Sequence, residues 1–383
     1  MSAKPRSERY HDLDFVRAAA MLLGILLHVC IFYMPPHKYF WGSGEYYGDP
    51  LDAEFLSFIH LFRMQLFYLM AGFFAELVID RKGLSYLTRD RLKRIGIPFV
   101  VGVLVMVPIH VLLTNRGGYY TNTFDGMTLV ERLQSICLFG LLDQNATSIQ
   151  DGLIHFWFLF YLVIYYVIHF LFRSVFIQSR IAARCKLDCG IQFAMRYRWG
   201  FLLLGLVSFP FQYSLQSISF PPSGFNAPLV ELAFYFFFYM FGIGFYRNRE
   251  LLKNLSESAW FYALLAVPFI LFISRPTEQV DESASVIRDI TTWTIIDLHT
   301  GDFRLPSVWW EGIFHNGWDK VLVAGIRALL CWLMCFAFIG LAHRYLGNSR
   351  PVVRYLADSA YWIYWVLQVW CTRPLDVRMP QSP

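Results

Sequence analysis

The chain has 383 residues, of which 56% are apolar, 19% aromatic and only 16% charged, and its formal net charge is +5. Soluble domains carry about 25% charged residues, so this composition excludes an ordinary water-soluble enzyme and predicts an all-α polytopic transmembrane bundle. The positive balance is no nucleic-acid signature, because the basic residues sit in short loops on one side of the membrane.

Residues 1–13 are polar, and no small-residue cleavage site ends the long apolar run that follows. That run, 14–34, reads as an uncleaved first span. Within LDFVRAAAMLLGILLHVCIFY, Arg17 and His28 stand eleven residues apart. Eleven residues make three turns plus about 20°, so both fall on one helix face with a rise of roughly 16 Å between them. Arg17 then lies near one surface and His28 well inside the bilayer, where an ionisable group is costly and a functional role is the default. Imidazole titrates near 6.5, so His28 can accept a proton from a hydroxyl and return it. A buried histidine bonded to a neighbouring helix is the plainer alternative. Asp14 and Arg17 are three apart and can pair on the helix surface. Two readings stay open for them: an ion pair that seats the helix end, or an arginine that meets an anionic ligand.

The second span, 57–79, opens with His60 and Arg63 in HLFRMQLFYLMAGFF, at about the depth of His28, and carries Glu76 near its other end. A basic element, RDRLKRIGIP, leads into the third span, 95–115. Its Arg91 and Arg94 suit a diphosphate, because a guanidinium donates two parallel hydrogen bonds, although such a cluster is also an ordinary topology signal. Residues 128–141 are apolar but short, as in an interfacial or re-entrant helix. His155 and Trp157 open the fourth span, 153–172, in HFWFLFYL; Trp157 also fits a plain interfacial anchor. Further spans of about 20 residues follow at 199–218, 227–246, 258–274, 321–342 and 351–371, which makes nine. The connection 275–320 is long enough to be functional or partly helical. Seven scattered cysteines, with Cys185 and Cys189 lacking a second pair, fit small apolar filler or free thiols rather than a metal site.

With the N-terminus in the cytoplasm, the inner segments are 1–13, 80–94, 173–198, 247–257 and 343–350, and these hold most of the loop lysines and arginines. The outer segment 35–56 holds only Lys38, and 219–226 holds none. This is the positive-inside pattern. No internal repeat appears, so 1–383 reads as one membrane domain.

The motif R-x10-H, followed in order by FRMQLFYLMAGFF, RLKRIGIP, HFWFLFYL, FGIGFYR and LADSAYWIYW, resembles the acyltransferase-3 membrane family from end to end. FRM…MAGFF and ADSAYWIY look most like its branch that succinylates periplasmic glucans. The resemblance implies an O-acyltransferase of the bacterial inner membrane, moving an acyl group from cytoplasmic succinyl-CoA or acetyl-CoA to a hydroxyl of a periplasmic or other envelope glycan. It implies no bound cofactor or metal, with acyl-CoA as co-substrate and membrane lipid as surroundings. It makes His28 the catalytic residue, as base or as transient acyl carrier. Arg17, Arg91 and Arg94 become ligands of the anionic donor, and Asp14, Arg63, His155 and Trp157 become supporting residues. Two departures stand out: Gln368 occupies a place where the family usually has histidine, and the chain stops at Pro383, one span earlier than usual. They motivate an alternative, an inactive truncated relative; a transporter or flippase of an acyl or glycan unit is the other.

Overall fold

A computed structural model describes residues 10–33, 50–105, 156–176, 181–215, 227–273 and 318–347, three short strands between 286 and 304, and a few isolated positions. The main helices are α1 (His11–Tyr33), α2 (Pro50–Lys82), α3 (Leu84–Arg91), α4 (Trp157–Phe176), α5 (Ile181–Arg196), α6 (Gly200–Ser214), α7 (Leu229–Arg247), α8 (Leu252–Glu257), α9 (Ala259–Ile273) and α10 (Trp318–Leu346).

Among the described residues, four helical stretches are long and apolar enough to cross a membrane: Phe58–Lys82, Trp157–Ser174, Leu229–Arg247 and Val321–Leu346. A fifth arises if the pair Arg249–Glu257 and Ala259–Leu271, bent by 62°, counts as one span. The protein is a multi-pass helical membrane protein. The expected span 95–115 is described only as far as residue 105, and 351–371 falls largely outside the described residues, as do 128–141 and His155. The expected span 199–218 contains only the 15-residue α6.

Two expectations need revision. The segment 275–320 contains strands where partial helix was one expectation. Val286–Asp289, Thr294–Asp297 and Phe303–Arg304 form an antiparallel sheet in the order β1-β2-β3, with Ile287 opposite Ile296 and Ile295 opposite Arg304. Their β-branched valine, isoleucine and threonine residues favour extended backbone. The helical class therefore carries one small sheet. The basic segment 173–198, read only as a loop, contains the 16-residue helix α5.

The span in α2 is the centre of the bundle, with 89% of its apolar window buried, against 33% for α4. On α4, Val167, Phe170, Leu171 and Phe172 are exposed, as are Leu202, Leu203 and Leu206 on α6; in a bilayer these face lipid. α1 runs antiparallel to α2. Near one end the Arg17 guanidinium lies 5.0 Å above the Phe74 ring, and farther along Leu27 packs with Ile59 and Phe58. His28 follows Leu27 on the same unbroken helix, so its backbone stands within about a turn of the level of Arg63. The side chain of His28 lies outside the described residues.

α2 and α7 touch backbone to backbone. A Cβ on Gly72 would stand 2.0 Å from the Tyr239 carbonyl oxygen, and one on Gly242 would stand 2.0 Å from that of Leu69. Small residues let helices approach closely where lipid supplies no hydrophobic drive. Gly72→Val or Gly242→Val should therefore destabilise the protein by about 3 kcal/mol or prevent folding. Gly190→Ala, with nothing within 4 Å of the added methyl, should be harmless. Thermal melts of the three variants in detergent check this.

Candidate functional site

One end of the bundle gathers the ionic residues. Glu76, buried on α2, accepts hydrogen bonds from Nε and Nη2 of Arg247 on α7, both at 3.2 Å, and pairs with Arg173 of α4. His169, a turn before Arg173, places Nε2 3.6 Å from the other Glu76 oxygen and Nδ1 2.9 Å from the Tyr239 hydroxyl. Arg247 reaches on to Asp188 of α5 at 3.3 Å. Three helices thus meet at one carboxylate, and a fourth, α5, joins them through Arg247. Close by, the Tyr246 hydroxyl donates to Asp80 at 2.7 Å, and His343 Nδ1 stands 2.6 Å from Asp12, tying α10 to α1.

Beside this hub lie the expected anion ligands. Asp14 pairs with Arg17 at 3.4 Å, which supports the ion-pair reading, while the Arg17 side chain keeps 35% of its exposure. Arg91 and Arg94 share a carboxylate that the sequence reading passed over. Asp90 Oδ2 is 3.5 Å from Arg91 Nη1, and Asp90 Oδ1 is 2.9 Å from Arg94 Nε. The helix widens to a π turn over Leu92–Gly96, between and beyond these two arginines. Such turns recur at functional sites. Arg91 points inward, at 16% exposure, and Arg94 outward at 74%. The Arg91 guanidinium sits 5.5 Å from the Tyr166 ring, and the Arg17 guanidinium lies over the Phe74 ring of α2. The buried Nε of Arg91 has no hydrogen-bond partner among the described residues. Tyr166 in turn packs edge-on to Tyr239 at 5.9 Å, which links this corner to the Glu76 hub.

The far end is polar in a different way. Arg63 is 6% exposed on α2, too deep for a loop or interfacial role. Trp157 is 8% exposed and packs against Tyr161 at 5.5 Å and Tyr235 at 5.7 Å. The indole is buried within the bundle and faces α7. Reading by spacing missed Asp90, Tyr166, His169 and Tyr235. The last three carried a signal in their polar tips within apolar runs, but not one that selects them among 22 tyrosines and 10 histidines. Among the described residues no group of three potential metal ligands assembles, and the described cysteines, Cys189, Cys331 and Cys335, are free thiols.

Comparison with known proteins gives this architecture its class. The acyltransferase domain family matches residues 10–367, and the chain belongs to that family. Among curated relatives, the chain is similar to glucans biosynthesis protein C of Escherichia coli strain SMS-3-5, at 30% identity over 157 residues. Proteins of that name from Shigella dysenteriae serotype 1 and Escherichia coli K12 are 29% identical over the same length. The match spans 41% of this chain and 37% of each relative, well under half of either. No solved structure matches the chain. The chain carries a membrane acyltransferase domain, and the arginine corner and the polar far end lie within the matched residues.

Removing the hub carboxylate leaves two arginines facing each other at a partly buried site. Glu76→Gln should cost about 2–3 kcal/mol, less than the full cost of a broken buried pair because both guanidinia keep some solvent. A melt of the variant beside wild type in the same detergent gives the value, and an unchanged midpoint would show that the hub does not hold the helices.

Proposed function

We propose that the protein is an O-acyltransferase of the bacterial inner membrane. It takes succinyl or acetyl from an acyl-CoA on the cytoplasmic side and passes it to a hydroxyl of a periplasmic or other envelope glycan. The observation that carries this reading is the inward-turned Arg91, whose guanidinium sits over the Tyr166 ring with its buried Nε left without a hydrogen-bond partner among the described residues. Family membership and the name of the relatives support the reaction class and the glucan acceptor. The N-terminus and the ionic end are cytoplasmic in this reading, as the positive-inside rule favours.

CoA presents a diphosphate and a 3′-phosphate. Arg17 and Arg91 receive the former at the mouth of the bundle, and exposed Arg94 is placed for a peripheral phosphate. Asp14 and Asp90 hold these guanidinia in place and give way as phosphate arrives. The thioester then has to reach the level of His28. The pantetheine arm, roughly 15–20 Å long by counting bonds of about 1.5 Å, spans the roughly 16 Å rise from Arg17. There the His28 imidazole takes the proton of the acceptor hydroxyl as its oxygen attacks the thioester carbon. The C–S bond breaks, and the departing thiolate takes the proton from the imidazolium. His155 stands at the acceptor side in this scheme, with Arg63 and Trp157.

The test is acyl transfer in proteoliposomes supplied with succinyl-CoA or acetyl-CoA and a gluco-oligosaccharide, with the ester product detected by mass spectrometry. His28→Ala should insert and fold but lose at least about a thousandfold in kcat, more than a general base alone usually contributes if it is also the acyl carrier. Arg91→Ala should raise the KM for acyl-CoA by about tenfold, the share of one charge-assisted hydrogen bond, and leave the acceptor KM alone. Wild-type rates in His28→Ala would remove histidine from the chemistry. Oligosaccharide or lipid movement with no ester formed would make the protein a transporter.

A further inference from the structure

We infer that the corner formed by the starts of α6 and α9 and the end of α10 holds an anionic phospholipid of the leaflet next to the ionic end. Its headgroup sits on Arg198 and Arg344, beside Trp199, Trp260 and Tyr345, and one acyl chain lies along α9. This site stands independently of the acyltransferase reading.

Three helices change from charged to apolar at one level here. α8, with Lys253 and Glu257 exposed, is followed after a 62° bend by α9, which has no charged residue. α6 carries none after Arg196 and Arg198. α10 reaches its last basic residues, His343 and Arg344, in its final turn. The junctions pack on one another. A Cβ on Gly340 of α10 would stand 2.4 Å from the Leu255 carbonyl oxygen and 2.8 Å from the Ala259 Cβ. Trp199 meets Phe261 edge-on at 5.3 Å, and Trp260 Nε1 donates to the Tyr345 hydroxyl at 3.0 Å. Unlike the buried Trp332, Trp199 and Trp260 are 59% and 49% exposed. Exposed indoles and phenols at such a boundary belong at the headgroup level, where the ring meets hydrocarbon and the polar tip meets water.

The charge of this corner selects the headgroup. Elsewhere at this end the protein's own carboxylates take up the arginines: Asp14 holds Arg17, Asp90 holds Arg91 and Arg94, and Glu76 holds Arg173 and Arg247. Arg198 and Arg344 are exposed, and neither has a carboxylate partner among the described residues. The Arg344 guanidinium lies 5.8 Å from the Tyr345 ring. Two carboxylates of the same helix ends are already engaged, Asp12 by His343 at 2.6 Å and Glu257 by Lys253 at 3.9 Å. Guanidinium groups of this kind, set among interfacial aromatics, complement a phosphate that carries net negative charge.

The wall beyond the headgroup has the length of a lipid chain. Trp260, Leu264, Val267 and Leu271 are all exposed on α9. They follow at i, i+4, i+7 and i+11, which puts them within about 40° of one stripe. Eleven residues rise roughly 16 Å, about half of a 30 Å hydrocarbon core. The stripe therefore runs from the headgroup level to the midplane. On α6, Leu202, Leu203 and Leu206 are exposed beyond Trp199 in the same way. The exposed face of α4 makes the contrast: Phe170, Leu171 and Phe172 lead to Arg173, which is already committed to Glu76. That face offers a chain a wall but no cation at its head.

The experiment uses the full chain in phosphatidylcholine nanodiscs. A minor share of the lipid is phosphatidylglycerol or phosphatidylcholine brominated near the head of its acyl chain, and quenching of tryptophan fluorescence is read. Wild type should be quenched by the brominated phosphatidylglycerol at about a tenth of the share needed for brominated phosphatidylcholine, with the preference falling as salt rises. In Arg198→Gln with Arg344→Gln the two lipids should come within about twofold of each other. Arg89→Gln with Lys93→Gln removes the same charge from exposed positions at α3 and the π turn, and should keep the preference. Trp260→Phe should lose much of the preferential quenching, which locates the lipid. A thermal melt confirms that each variant is folded. Equal quenching by both lipids in wild type, or equal loss in both double variants, would overturn the site. Displacement by soluble glycerol 3-phosphate would make it a phosphate site with no lipid role. Tryptophan at position 260 shielded from both lipids, in nanodiscs whose protein mass is that of two chains, would give the face to a second copy. Either result overturns the proposal, and none of these readouts depends on whether the protein forms an ester.

Discussion

A carboxylate inside a membrane protein must be compensated, and the compensation of Glu76 organises this fold. Arg173 and Arg247 neutralise it, His169 stands beside its second oxygen, and Arg247 carries the connection on to Asp188. In low dielectric each such charge is expensive alone, and geometry has to be good for the set to be tolerated. Four helices from separate parts of the sequence are therefore fixed against one another at one level. The close backbone contact of α2 with α7 through Gly72 and Gly242 runs alongside this charge cluster.

From that anchor the two ends of the bundle take distinct characters. The anchored end carries guanidinia held on Asp14 and Asp90, with Arg91 turned toward Tyr166. The opposite end carries tyrosines, an indole and the buried Arg63. α2 contributes to both, with Glu76 and Phe74 at one level and Arg63 near the other. α1 runs beside it, with Arg17 at the first level and the backbone of His28 at the second. In the proposed reaction the donor and the acceptor enter from opposite sides and are aligned by this one helix pair.

Much of this was legible in the sequence and some was not, for physical reasons. Hydropathy and loop charge exposed the membrane class, because lipid forces long apolar helices and basic loops. The R-x10-H spacing exposed the stripe on α1, because helical periodicity is strictly local. Arg91 was visible as a basic residue, but its inward turn was not: a π turn depends on packing rather than on composition. Tyr166 was not legible at all. Its place beside Arg91 comes from tertiary contact of α4 with α3, and the surrounding run of Tyr and Phe looks the same at every position. The strands near 286–304 were hidden because each is only two to four residues long, too short for an alternating pattern to stand out.

The π turn at Leu92–Gly96 has a consequence of its own. A wide turn holds one residue more than an α turn would, and each residue of a helix advances the azimuth by about 100°. Everything after Gly96 is consequently out of phase with α3 by more than a quarter revolution. The same stretch of chain can thus aim Arg91 at the bundle and still present Val100, Val101, Leu104 and Val105, all exposed, to the lipid. The extra residue works as a phase adjuster between a ligand-facing segment and a bilayer-facing one.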